Sequence, residues 1–155
     1  MALFYFNNMQ TKARSLQKIF RVFLGLSMIF IGIGHLTFIR IEFQAQVPTW
    51  ITNEENLMDF VILASGVVEI ILGTLMVLGG KLKLITGISL AIFYILIFPG
   101  NINQYVNNID AFGLNTDSKR LFRLFFQPIL VLWALWSTGG LYYLIHRKKK
   151  KTDIY

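Results

Sequence analysis

Apolar residues dominate four stretches of this chain, and polar residues collect between them. The stretches are Ile19–Phe38, Leu57–Leu78, Leu82–Phe98 and Leu121–Ile145. Each is close to the ~20 residues that an α-helix needs to cross ~30 Å of hydrocarbon. In lipid, backbone polar groups must be satisfied within the segment, so runs of this length predict helices. The pattern therefore predicts an all-α fold, a four-transmembrane-helix bundle forming a single integral membrane domain over residues 1–155. Composition agrees: the 155 residues are 55% hydrophobic, with a mean hydropathy of +0.57. A soluble chain of this size has little core in which to hide so much apolar sequence.

The interruptions are as informative as the runs. Met1 to Gln10 carry no charge and read as a lead-in, with a helix starting near Thr11 or Ser15. A basic segment followed by an apolar one also suits a secretory signal. The stretch is long and lacks an A-x-A-like cleavage site, so an uncleaved first span is expected. Between Arg40 and Asn56, Phe43, Val47, Trp50 and Ile51 alternate with polar residues, and Pro48 breaks the segment. This predicts a short surface-lying element with Trp50 at headgroup level. The brief Gly79-Gly80-Lys81 turn predicts an antiparallel hairpin of spans two and three. Pro99 removes an amide donor and leaves the Ile95 carbonyl without its helical partner, so span three is expected to bend or end there. Asn101 would then cap the freed backbone. Asn107 to Ser118 read as a polar loop.

Charge adds orientation. The net charge is +7, and eleven of the fifteen basic residues fall on one side of a four-span chain. They are Lys12, Arg14, Lys18 and Arg21 before span one, Lys81 and Lys83 in the hairpin turn, and Arg147 to Lys151 after span four. The positive-inside rule then places both termini in the cytoplasm. The Arg147–Lys151 run is expected to meet anionic lipid headgroups. Nucleic acid is not expected as a partner, because no aromatic residues interleave with these charges as a stacking site requires. The absence of cysteine removes disulfides, thiolate ligands and a CxxC redox pair.

Each span carries small or polar residues on one face. Gly25 and Gly32 lie seven apart with His35 nearby; Gly66, Glu69 and Gly73 follow at three and seven; Gly87, Tyr94 and Asn101 are seven apart; Arg123, Gln127, Ala134 and Thr138 share a side. Such spacings return to one side of a helix, and small residues let membrane helices approach closely. The four faces are expected to meet, with their polar groups turned inward. At ~1.5 Å per residue, His35, Asn101, Arg123 and Gln127 fall in the outer third, and Glu69 near the midplane, level with Tyr94. The expected result is an outward-facing polar pocket with Glu69 as its floor. A carboxylate at that depth costs at least a few kcal/mol, so it should be paired, neutral or useful. Tyr94, Gln127 and Arg123 are its expected partners. His35 stands about two turns higher, which leaves a direct bond to Glu69 open. Glu69 reads equally well as a protonated acid bridging helices, and Arg123 as a side chain reaching outer headgroups. No metal site is expected, since His35 and Glu69 alone are two ligands short of a tetrahedral set.

Several pieces form an ordered pattern: Gly34-His35; Phe43 with Val47-Pro48-Thr49-Trp50; Ser65-Gly66-Val67-Val68-Glu69 with Leu72-Gly73; Phe98-Pro99-Gly100-Asn101; and Arg123-Leu124-Phe125-Phe126-Gln127-Pro128. By these the chain resembles the DoxX family of small four-helix membrane proteins. Leu36 and Phe125 depart from the family's usual Phe and Pro. The resemblance implies a plasma (inner) membrane protein associated with redox chemistry. On that basis the expected ligand is a quinone or similar amphiphile. Glu69 and His35 are the candidate proton-handling groups, and Tyr94, Asn101, Arg123 and Gln127 the ligand-orienting ones. No redox centre is encoded, so electron transfer would require a bound cofactor or a redox partner protein. The competing expectation is a non-enzymatic, chaperone-like protein of membrane assembly, in which the same residues fix helix packing.

Overall fold

The computed structural model describes the backbone of residues 2–52 and 54–152, and side chains over 13–52 and 54–146. Lys12, Asn53 and the Arg147–Lys151 side chains lie outside these. The described residues form helices and no strand: α1 (Ala2–Leu36), α2 (Arg40–Phe43), a 3-10 turn at Gln44–Gln46, α3 (Glu55–Leu78), a second 3-10 turn at Gly80–Leu82, α4 (Lys83–Val106), α5 (Asp117–Thr138) and α6 (Gly140–Thr152). Four segments among them, Ala13–Leu36, Glu55–Leu78, Gly80–Val106 and Asp117–Thr138, are long and apolar enough to cross a membrane. The chain is thus an all-helical protein of membrane-spanning character.

Three boundaries differ from the sequence reading. Helix α1 extends back to Ala2 instead of beginning near Thr11. Helix α4 runs through Pro99 to Val106, so the proline neither ends it nor makes Asn101 a cap. Membrane helices tolerate such a break where neighbours supply alternative bonds. The Gln127 amide ties α5 to this part of α4 by donating to the Tyr94 carbonyl at 2.7 Å, although the carbonyl that Pro99 deprives is that of Ile95. The fourth apolar run is also two helices. It breaks at Gly139, whose φ of +82° is the left-handed cap that favours glycine.

The helices form two tight pairs. In the first, α1 lies on α3 through glycines. A Cβ at Gly25 would stand 2.7 Å from the Gly73 carbonyl, and one at Gly32 would stand 2.6 Å from the Gly66 carbonyl. In the second, α4 lies on α5, and Gly87 faces the Thr138 side chain so closely that a Cβ there would collide with it. The glycine faces read from the sequence are therefore the seams.

Between the pairs, near the 79–82 turn, lies an apolar floor of Leu24, Met28, Met76, Leu90, Tyr94 and Ala134. At the same end Phe20 meets Trp133 and Trp136 edge-on, with ring centroids at 5.6 and 5.8 Å. Arg21 turns inward to donate to the Met76 carbonyl at the end of α3, satisfying an otherwise orphaned acceptor.

The opposite end is covered. Residues 39–52 fold over it, with Phe43 and Val47 buried against Ile62. Arg40 clasps Asp59, and this raises the guanidinium pKa above its ordinary value. The 107–116 loop is pinned by Arg120, which pairs with Asp110 at 2.6 Å and Asp117 at 2.8 Å. Its Phe112 N–H donates to the Glu42 carboxylate. Trp50 is well exposed, at 73%.

Candidate functional site

The space between the two pairs is a cavity of about 370 Å³, between the floor and the covered end. Its volume lies at the lower end of the ~300–1,000 Å³ usual for small-molecule pockets. The lining is mainly apolar, and its polar groups come from all four long helices and the cover: Ser27 and His35 on α1, Ser65 and Glu69 on α3, Tyr94 on α4, Arg123 and Gln127 on α5, and Gln46 in the cover.

His35 sits in the last turn of α1, directly over Gly66; a Cβ on Gly66 would be 2.6 Å from that of His35. Only glycine there lets the imidazole cross to α3. Its Nδ1 lies 3.2 Å from the Ile62 carbonyl and 3.0 Å from Ser65 Oγ. A carbonyl accepts and never donates, so Nδ1 carries the hydrogen. Ser65 in turn donates to the Ile62 carbonyl at 2.8 Å, which leaves its oxygen free to accept from the histidine.

The tautomer is thereby fixed, and Nε2 faces Glu69 Oε2 at 3.3 Å. The two atoms are close, but they are not aligned as a hydrogen bond, and both are buried without any other partner. His35 and Glu69 are only 6% and 4% exposed. A buried polar atom left unpaired costs about 1–3 kcal/mol, so this pair is held at some expense to stability. Because Nδ1–H is already committed, the pair accommodates a single proton between Nε2 and Oε2. Without that proton, both atoms are acceptors.

Across the cavity Arg123 donates through Nε to Asn101 Oδ1 at 2.9 Å, and its guanidinium lies 5.4 Å from the centre of the Phe112 ring. Asn101 Nδ2 donates to Gln127 Oε1 at 3.0 Å. With its oxygen turned toward the guanidinium, the Gln46 amide accepts from Arg123 Nη2 at 2.8 Å; this orientation satisfies both groups. Arg123 is thus tethered within the protein and does not reach for headgroups.

The geometry rearranges the sequence-derived set. His35, Glu69, Tyr94, Arg123 and Gln127 all line the cavity. Asn101 stands behind the wall, holding Arg123 and Gln127 in place. Among the described residues Glu69 pairs with His35, and no hydrogen bond joins it to the expected Tyr94, Gln127 or Arg123. The Tyr94 hydroxyl instead donates to Met28 Sδ at 3.0 Å. The two-turn offset estimated from depth also shrinks, because His35 is level with Gly66, one turn from Glu69.

The expected outward mouth is occupied by aromatic rings. Phe43 lies tilted against His35 with centroids 3.4 Å apart, and Phe112 meets Phe43 edge-on at 4.7 Å. Sequence reasoning missed Ser65 and Gln46. Ser65 is four residues before Glu69 and so on its face, a signal that was present. Gln46 had no such signal, because its role depends on how the cover folds back.

A family model described as a domain of unknown function (DUF8561) matches residues 24–138, a stretch that contains every residue lining the cavity except Phe23. No curated protein and no solved structure matches the chain.

Proposed function

The chain belongs to the DUF8561 family, and since that description carries no activity, we propose from the cavity itself that this is an integral membrane protein that binds a small, quinone-like amphiphile. The observation that supports this most directly is the His35–Glu69 pair, two buried polar atoms facing each other unsatisfied in a ligand-sized space. Stability alone gives no reason to retain them. Glu69 and His35 take up or release one proton as the ligand binds or changes state, while Arg123 and Gln127 orient its polar atoms. The resemblance to the DoxX family supports a redox partner and the plasma membrane, and the distribution of basic residues supports cytoplasmic termini. Electrons would come from the ligand or the partner, since the chain supplies proton chemistry only.

The test is a titration of the detergent-purified protein with decylubiquinone, followed by tryptophan quenching; Trp133 lines the cavity. Saturable quenching is expected, weakened at least about tenfold in Glu69→Ala and His35→Ala, as loss of one charge-assisted hydrogen bond implies. Equal binding by wild type and both variants removes the site.

The second reading, a non-enzymatic assembly protein, is favoured by the glycine seams, which account for many of the patterned residues without a ligand. It requires Glu69→Gln to lower the melting temperature while leaving every ligand titration flat.

A further inference from the structure

The cavity is closed at both ends and bounded at its sides by helices that face lipid. At the covered end, Phe43 lies on His35 and Phe112 lies over Arg123. The Gln46 backbone carbonyl sits so closely over Gly100 of α4 that a Cβ there would collide with it. At the floor, Met76, Leu90 and Ala134 are completely buried.

The sides differ. Helices α1 and α5 meet near the floor, where Gln17 donates to the Trp136 carbonyl at 3.0 Å and the Trp133 indole donates to the Phe20 carbonyl at 3.2 Å. Beyond that contact, Ser27 and Ile31 of α1 and Phe126 and Leu130 of α5 line the cavity from opposite sides. Ile31 and Phe126 also reach the outer surface of their helices, at 37% and 38% exposure. The α3/α4 side is overhung by Trp50 and Ile51 from the cover, which join its lining. The α1/α5 side is crossed by the stacked Phe23 and Trp133 rings, with centroids 6.0 Å apart; beyond them, at the level of hydrocarbon, Ile31 and Phe126 are half-exposed side chains between the cavity and lipid.

We propose that the cavity admits its ligand sideways from the bilayer, between α1 and α5, and that this ligand is a lipid-soluble molecule with a neutral hydroxyl or carbonyl head. The inference rests on the reading of the cavity as a ligand site. The head is neutral because the two walls present opposite charge. An anion would face the Glu69 carboxylate, and a cation would face Arg123. A hydroxyl donates to the Nε2/Oε2 pair in its unprotonated state, and a carbonyl accepts from Arg123. The apolar remainder of the molecule lies along Ser27, Ile31 and Leu130 and projects into lipid, so no aqueous passage is needed.

The experiment is photolabelling of the full chain in phosphatidylcholine nanodiscs, with adducts mapped by peptide mass spectrometry. The probe is a long-chain primary alcohol with a diazirine on its alkyl chain. Adducts are expected at Ser27, Met28 and Leu130, as well as at lipid-facing Phe30 and Ile129. Two narrowing variants on opposite walls, Ser27→Trp and Leu130→Trp, each checked by thermal melt, should lower cavity adducts several-fold and leave Phe30 labelling unchanged. The corresponding carboxylate and quaternary ammonium probes should label the cavity several-fold less than the alcohol.

Undiminished cavity labelling in both folded variants overturns the lateral route. Equal labelling by the charged probes overturns the neutral head. If no cavity adduct forms while decylubiquinone still binds in a Glu69-dependent manner, this inference falls and the ligand-site reading survives. If neither occurs, both fall.

Discussion

Replacing Gly32 by alanine tests the α1/α3 seam most directly. In an unhindered membrane helix the change should help, since alanine exceeds glycine in helix propensity by about 1 kcal/mol. Here the added methyl would stand 2.6 Å from the Gly66 carbonyl oxygen, 2.8 Å from Ile70 Cγ1 and 3.1 Å from Glu69 Cβ. The first obstacle is backbone, which no rotamer change relieves. The helices must part by roughly an ångström to restore carbon contact distances of ~3.5 Å. Overpacking of this kind costs about 1–3 kcal/mol. The upper part of that range applies, because the same separation lifts His35 from Ile62 and Ser65. Net destabilisation of about 1–2 kcal/mol is therefore expected, against the sign of intrinsic propensity. The assay is reversible unfolding in mixed detergent micelles, followed by circular dichroism. Gly140→Ala is the control, since its nearest neighbour is the flexible end of Leu135 at 3.1 Å; it should be neutral or slightly stabilising. A Gly32→Ala protein as stable as wild type would refute the close seam and the placement of His35 that depends on it.

Two further outcomes follow from the cover. Phe43→Ala should destabilise by about 3 kcal/mol, as expected for a buried phenylalanine, and should expose His35 to diethylpyrocarbonate; the count of modified histidines should rise from one, the exposed His146, to two, and an unchanged count refutes the covering role. Arg120→Met should lower stability by about 1–2 kcal/mol and speed proteolysis within residues 107–116. Its carboxylate partners are 69% and 76% exposed and contribute little, so most of the loss comes from the 3.0 Å bond to the Leu114 carbonyl; an unaltered melt and cleavage rate would contradict this.

What the sequence disclosed was what repeats along a helix. Gly25, Gly32, Gly66 and Gly73 recur at intervals that return to one face, and the structure uses them as contact points. Glu69 stood out as an acid within a hydrocarbon-length run, and it is buried beside a cavity. The break at Gly139 was hidden, because hydropathy does not register a positive φ; the Gly139-Gly140 pair was the available cue. Pro99 misled because a proline was weighed only by the amide it removes, while α4 runs on through it to Val106. The cover was least legible. Phe43 and Val47 have the composition of interfacial anchors, and only the return of residues 39–52 over the bundle makes them a lid on His35. Contacts between residues distant in sequence leave no periodic trace.

The arrangement of the seams divides the molecule along its own sequence. The glycine-zipped pair α1/α3 lies wholly before residue 79, and the α4/α5 pair wholly after residue 82, so each half carries its own tightest joint. The turn that links them has positive φ at both Gly79 and Gly80, backbone angles that bulkier residues resist. Such a body behaves as two stiff leaves on a short spine. Its easiest deformation is a change in the gap between the leaves, and the width of that gap decides what fits inside.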